Sequence, residues 1–255
     1  MNIVTFEQDS QPVYLPLKVV PVQTPIQARA ALQLRYSAYA RHDYNEEIKA
    51  RLRAPDDADL GGIATTLVAI RKVDGAVVGT VRIMSSMDGL PDFPSDMPED
   101  PCLEGAYAYI DRFATDTSAP EASVAAAALM KATWLWALGR DARWLVALAR
   151  APLARHYRRY GGLTVRAEGA PVYMLDYHAK PYFLVAAQLG EALQRLLSEN
   201  PQHGSGFISK VHPDIKVTGE ALLWGEVPPL TKPSAAIQDA RAVQQSDGTL
   251  ALQPA

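Results

Sequence analysis

Thr65–Arg71 (TTLVAIR), the pair Asp74-Gly75 and Ala76–Met84 (AVVGTVRIM) form the stretch from which the fold can be read. β-Branched residues on both sides of an Asp-Gly pair predict an antiparallel hairpin, because glycine takes the positive φ that such a turn requires. Toward the N-terminus, the proline-bounded run Tyr14–Pro21 (YLPLKVVP) predicts a first strand. Thr24-Pro25-Ile26-Gln27 then offers a cap, a proline at the first helical position and a glutamine three residues after the cap. That combination predicts a helix running to about Arg41. Ile26, Ala30, Leu34 and Ala38 recur at every fourth position as its expected buried stripe, with Arg35 and Tyr39 one turn apart on a neighbouring face. Between Asn45 and Gly62 the hydrophobic pattern lapses across Pro55, Asp56, Asp57, Asp59 and Gly61-Gly62. A loop of that length in a compact domain is usually functional or mobile.

Toward the C-terminus, Asp88–Pro101 is irregular and carries four prolines, and Ala106–Ala114 (AYAYIDRFA) predicts the next strand. Ser118-Ala-Pro-Glu121 has capping-box spacing and leads an alanine-rich helix to Leu138, ended at Gly139. Arg143–Ala149 (RWLVALA) reads as a strand buried on both faces. A short helix is expected over Pro152–Tyr160, ended by Gly161-Gly162. Leu163–Arg166 and Pro171–Asp176 are expected to be two strands of a hairpin around Glu168-Gly169, followed by a last helix over Phe183–Ser198. This order of elements predicts an α/β protein with a mixed sheet, since its hairpins exclude a purely parallel one. Residues 1–227 are expected to make one domain, and 228–255, rich in Ala, Gln, Ser and Pro, a loosely ordered tail.

Composition narrows the class. The chain has 255 residues, 48% hydrophobic and 21% charged, enough to bury a substantial core. A net charge of -3 gives no global attraction to phosphate backbones, so nucleic acid is not an expected partner. Cys102 stands alone, which excludes an internal disulfide or a multi-cysteine metal site. No apolar run reaches the ~20 residues of a membrane span, and the N-terminus has no secretory pattern. A cytoplasmic protein is the expectation. Five scattered histidines lack metal-site spacing, and no GxSxG or phosphate-loop pattern occurs. Asp176 and His178 lack a nucleophile to complete a triad.

The chemistry concentrates elsewhere. Arg82 and Arg112 fall in the middle of predicted strands, where a guanidinium needs a carboxylate partner or a ligand. Asp56 and Asp59 in the long loop can supply partners. Two readings stay open: a structural salt-bridge network, or a polar pocket in which aspartates hold an ammonium and arginines a carboxylate. Arg150, Arg155, Arg158 and Arg159 cluster around the Pro152 helix, either as a solvated face or as a docking patch for an acidic partner. Leu129, Trp134, Trp136 and Trp144 suit core packing or the lining of an apolar tunnel.

Arg35 with Tyr39, Asp56 with Asp59, VVGTVRI (77–83), YIDRFATD (109–116) and ALARAPLARHYRRYGG (147–162) together resemble the acyl-homoserine-lactone synthases, in order and spacing, over about Leu34 to Val185. The resemblance extends to the related long-chain N-acyl amino acid synthases. It implies a GNAT-type acyltransferase fold, and transfer of a fatty acyl group from acyl carrier protein to an amino-acid amine. Carried over, Arg35, Asp56, Asp59, Arg82 and Arg112 stand at functional positions of that family; Tyr39 and Tyr109 are expected beside them on the substrate side, and Asp111, Phe113 and Tyr157 with Arg112 at the reaction, with Tyr157 or Tyr160 as proton donor. Arg150, Arg155, Arg158 and Arg159 become the carrier-docking patch. Tyr109 stands where the family usually carries glutamate, which points away from lactone formation. Thr115–Glu121 (TDTSAPE) has no glycine and two acids where GNAT enzymes cradle a coenzyme A pyrophosphate, which favours acyl-phosphopantetheine over acyl-CoA as donor. No bound cofactor or metal is expected. A coenzyme A-dependent N-acetyltransferase and a non-catalytic domain of the same fold are the competing expectations.

Overall fold

The computed structural model describes residues 11–41, 52–88, 105–150, 153–155, 157–158, 163–165, 171–174, 180–192, 210–219, 222, 224, 227 and 229–230. Its strands are β1 (Leu17–Pro21), β2 (Ala64–Arg71), β3 (Val77–Ser85), β4 (Tyr107–Thr115), β5 (Trp144–Ala149), β6 (Thr164–Val165), β7 (Val172–Met174) and β8 (Lys180–Gln188). The helices are α1 (Pro25–Ala40), α2 (Asp57–Leu60) and α3 (Ala122–Leu138). The strand order is β1-β2-β3-β4-β5-β8-β6, with β7 also on β8. Only the β4–β5 pair among the named strands is parallel. The mixed sheet expected from the order of elements is therefore present.

The hairpin of β2 and β3 closes through the Arg71 N–H donating to the Ala76 carbonyl, with Gly75 at φ +74°. Alternation along it sorts side chains to two faces. Leu67, Ala69, Val81 and Ile83 join the larger core under α3, whereas Val68 and Ile70 join Ala28, Ala31 and Leu32 of α1. Gly79 is small for a packing reason: a Cβ there would lie 2.8 Å from Leu129 Cδ1 and 3.4 Å from the Ala125 Cβ on α3.

Several expectations change. The buried residues of α1 are Ala28, Ala31, Leu32 and Arg35, not the stripe starting at Ile26, which is 82% exposed. A charged residue lies on the buried face, so apolar periodicity alone misplaces the phase. Thr24 does cap α1, accepting from the Gln27 N–H. Ser118 does not cap α3: its hydroxyl and N–H both donate to Asp116, and the cap residue Glu121 makes no side-chain capping bond but accepts from Arg71. Phe183–Gln188 belongs to β8 rather than a helix, and helical residues begin at 189. Leu, Ala and Gln favour helix locally, but this segment is sandwiched between β5 and the short strands, and the pairing wins. β6 and β7 each pair with β8, so the expected hairpin around Glu168-Gly169 is replaced by two separate pairings. Asp88–Pro101 beyond Asp88, and Cys102, lie outside the described residues.

Described residues of 210–219 cover the outer edge of β1, and Leu222 meets the chain just beyond it. The Val19 N–H donates to the Asp214 carbonyl, the Lys216 N–H to Val19, and the Leu222 N–H to Val22. An edge strand is thereby paired rather than left open.

Because Leu129 is fully buried and the Ala125 and Ala69 Cβ atoms also lie 3.4 Å from the added Cβ, Gly79→Val is expected to cost about 1–3 kcal/mol from overpacking. Chemical denaturation checks this; a variant as stable as the parent would show that α3 does not press on β3 at this point.

Candidate active site

β4 runs beside β3 through Thr115, but its parallel pairing with β5 ends at Ile110 and Ala147. Both strands continue past that point, and β5 stays paired with β8 to Ala149. A wedge therefore opens between β4 and β5. At its mouth the β3–β4 register shifts by one residue, Thr80 facing Ala114 and Arg82 facing Asp111, and Arg112 takes φ +50°. A bulge in the left-handed region is uncommon for a non-glycine residue and re-aims the side chains around it.

A cavity of about 160 Å³ lies at this mouth. One wall is charged, built by Asp56, Arg82, Asp111 and Arg112. The other is apolar and aromatic, with Phe113, Leu148, Leu153, Tyr157 and Tyr182, while Tyr39, Leu52 and Tyr109 complete the lining.

Arg82 organises the charged wall. Its Nε and Nη2 donate to the two oxygens of Asp111 at 2.7 and 2.5 Å, and its Nη1 reaches Asp56 at 2.5 Å and Asp59 at 3.5 Å. A bidentate fork of this kind is the strong form of a guanidinium–carboxylate pair. Burial opposes the charge on Arg82, but Asp111, Asp59 and Asp56 together outweigh it and the guanidinium is raised well above its usual value. Asp56 also accepts from Arg112 Nη2 at 2.5 Å. Burial would raise the Asp56 carboxyl; the guanidiniums of Arg82 and Arg112 overcome it and hold the group at about 2.

The loop carrying these aspartates is shaped by them. Asp56 caps α2 by accepting from the Asp59 N–H, and Asp59 returns the contact by accepting from the Asp56 N–H. That capping box fixes both carboxylates toward the sheet. Behind them Arg35 is fully buried, its Nη2 donating to Thr66 Oγ1 at 2.9 Å and its Nη1 3.8 Å from Asp59. Burial lowers this guanidinium to about 10.

Tyr157 is 2% exposed and meets Phe113 edge to face, with ring centroids 6.0 Å apart. Burial, followed by the electrostatics of Tyr39, Tyr109 and Asp111, pushes its phenol well above the usual value. It stays protonated across the neutral range.

All ten residues expected on the substrate side or at the reaction gather here: eight line the cavity, while Asp59 is buried 3.5 Å from Arg82 and Arg35 stands behind Asp59. Arg155 and Arg158 are exposed on the helical residues 153–155 and 157–158, Arg150 is half-buried, and Arg159 and Tyr160 lie outside the described residues. Leu129, Trp134 and Trp136 pack in the main core and Trp144 in a smaller cluster with Val146 and Leu184, so none lines the cavity. Leu52, Leu148, Leu153 and Tyr182 were not singled out from the sequence. Leu148 carried a usable signal, because it shares strand parity with Trp144 and Val146 one step beyond the last β4 pair. Among the described residues no cluster of His, Cys, Asp and Glu could hold a metal ion, and no helix is long and apolar enough to cross a membrane.

Comparison with known proteins agrees with this geometry. The family model for the N-acyl amino acid synthase FeeM matches residues 30–185, more than half of the chain. The solved structure of FeeM, an N-acyl amino acid synthase from uncultured soil microbes, superposes with a TM-score of 0.55 at 20% identity, covering 72% of this chain and 96% of that one. BjaI, a CoA-dependent acyl-homoserine lactone synthase solved with MTA, gives a TM-score of 0.52 at 15% identity, covering 81% and 96%. At these identities the two structures speak for the fold. No curated protein matches the chain. The matched span contains every residue of the charged wall and its apolar counterpart, and the chain belongs to the FeeM family of N-acyl amino acid synthases, acyltransferases of GNAT fold.

Proposed function

We propose that the chain moves a fatty acyl group from the phosphopantetheine thioester of acyl carrier protein to the amine of an amino acid or related small amine. The observation that carries this reading is a cavity whose charged and apolar walls meet where β4 and β5 part. An amino acid presents two opposite charges within a few bonds. Arg112 and Arg82 suit its carboxylate, and Asp56, backed by the buried Asp59, suits its ammonium before the proton is lost. Phe113, Leu148 and Leu153 suit the acyl thioester on the other side.

Two features support carrier protein over coenzyme A. At the start of α3 the Ser118 N–H already donates to Asp116, Pro120 offers no N–H, and Glu121 sits at the cap. A pyrophosphate placed there would meet two carboxylates. Arg155 and Arg158 lie exposed on the same helical segment that gives Leu153 and Tyr157 to the cavity. With the half-buried Arg150 they offer a basic face to which an acidic carrier would dock.

In the proposed reaction the amine lone pair attacks the thioester carbon, and the oxyanion is met by backbone N–H groups near Phe113 and Ala114, at the bulge. Collapse breaks the C–S bond, and Tyr157 gives its proton to the departing thiolate. The proton shed by the amine passes through water to Asp111 or to a carbonyl in the wedge, from which the Tyr157 phenolate is restored. Tyr109 adds no carboxylate to the cavity, in keeping with an open amide product rather than a lactone.

The test is incubation with long-chain acyl carrier protein, and in parallel long-chain acyl-CoA, with a mixture of amino acids, read by mass spectrometry. An N-acyl amino acid formed mainly from the carrier donor is expected. Amide from acyl-CoA alone would reassign the donor, and no amide from either would overturn the reading. In the same assay Arg112→Ala is expected to lose about a hundredfold or more in kcat/KM with its circular dichroism unchanged, because one partner of a partly buried ion pair and a substrate contact go together. Full activity in that variant would reject the charged wall as the acceptor site.

A further inference from the structure

Arg35 is a full-length cation with almost no conventional partners. It has 0% exposure and one hydrogen bond, to Thr66, while its Nε and Nη1 make none among the described residues. Asp59 approaches no closer than 3.8 Å, and the Asp59 Oδ1 is likewise without a hydrogen bond. What faces the guanidinium is the ring of Trp224, with the Arg35 Cζ 5.8 Å from its centroid. Trp224 is 3% exposed and packs with Leu32, Val68 and Val227 on the α1 side of the sheet. A desolvated guanidinium over an indole face is among the stronger cation–π contacts.

Trp224 lies outside the span matched by the family model, which ends at residue 185. The same C-terminal segment also braces the other wall of the cavity. The Leu230 N–H donates to the Arg53 carbonyl, and Arg53 in turn donates to the Tyr36 hydroxyl at 2.7 Å and lies over its ring at 4.7 Å. Arg53 is the neighbour of Leu52, and Leu52 packs with Tyr36 and Tyr39; Leu52 and Tyr39 line the cavity.

We propose that Trp224 is a positioning residue of the acceptor site: its ring holds the Arg35 cation against Asp59, so that Asp59 keeps its place beside Arg82 and Arg112. The chain beyond the family-matched span then completes the acceptor side of the site. Arg35 does not itself line the cavity, so the effect of Trp224 reaches the substrate through Asp59 and the two cavity arginines. This rests on the acceptor reading given above.

Trp224→Leu keeps an apolar side chain but removes the π face and some buried volume, and Trp224→Phe also loses volume but keeps a face. The expected result is about a tenfold rise in acceptor KM for Trp224→Leu, in line with a cation–π contact in a dry site. The donor KM should not move, and Trp224→Phe should recover most of the loss. A residue that only stabilises the fold would lower kcat per mole of protein by reducing the active fraction and leave the acceptor KM in place. Trp224→Met supplies the same comparison if the leucine variant does not fold. An unchanged acceptor KM in the face-free variant, or equal loss in Trp224→Phe and Trp224→Leu, overturns the proposal. Arg112→Ala measured alongside separates the two claims: if it stays active the acceptor reading fails, and if it is inactive while Trp224→Leu behaves as the parent, only the role of Trp224 fails.

Discussion

Arg82 is a guanidinium set in the middle of a central strand, 4% exposed, and the site depends on how that charge is kept. Removing such an ion from water costs several kcal/mol, which only close, well-shaped partners offset. Here three partners come from two directions: Asp111 across the sheet on β4, and Asp56 and Asp59 from the loop above it. The loop is therefore bound to the sheet by charge, and α2 exists because the two aspartates that reach Arg82 also cap each other's backbone. Among the described residues the cluster holds, with Arg35 and Arg112, three cations and three carboxylates, and Arg35 Nη1, Asp59 Oδ1 and Arg112 Nη1 find no hydrogen bond there. Unsatisfied polar atoms of this kind are what a polar ligand can exploit.

The bulge at Arg112 joins this network to the chemistry. Asp111 must face Arg82, and the single-residue register shift immediately after it turns Arg112 onto Asp56 and sends Phe113 to the apolar wall. The parting of β4 from β5 begins one residue earlier, after Ile110. Ion pairing, bulge and wedge thus occupy four consecutive residues. A shift of the strand by one position would separate them all, which is why a positive φ at Arg112 is tolerated.

Much of this is legible in the sequence where the determinants are local or costly. The β2–β3 hairpin is readable because β-branched runs around Asp74-Gly75 leave few alternatives. The charged wall is readable because arginines within strands demand acids. The parts that escape are set by distant pairing. Phe183–Gln188 has helical composition and becomes β8 only because β5 needs an antiparallel neighbour. The phase of α1 is hidden because Arg35 occupies a buried position that a hydrophobic count leaves out. Trp224 follows no hydrophobic period in the sequence, and only its packing against the α1 side brings it to Arg35. The lining leucines at 52, 148 and 153 are ordinary apolar residues until the wedge gives them a common cavity.

The central claim is that the charged wall receives the amino-acid end and the apolar wall the acyl end of one reacting pair. A crystal structure with an N-acyl amino acid bound tests it most directly. The account predicts the product's carboxylate within hydrogen-bonding distance of Arg112, its amide oxygen at the backbone N–H groups beside Phe113, and its chain running past Leu148 and Leu153. A product bound with its chain against the Arg82–Asp56–Asp111 cluster, or outside the wedge between β4 and β5, would contradict it.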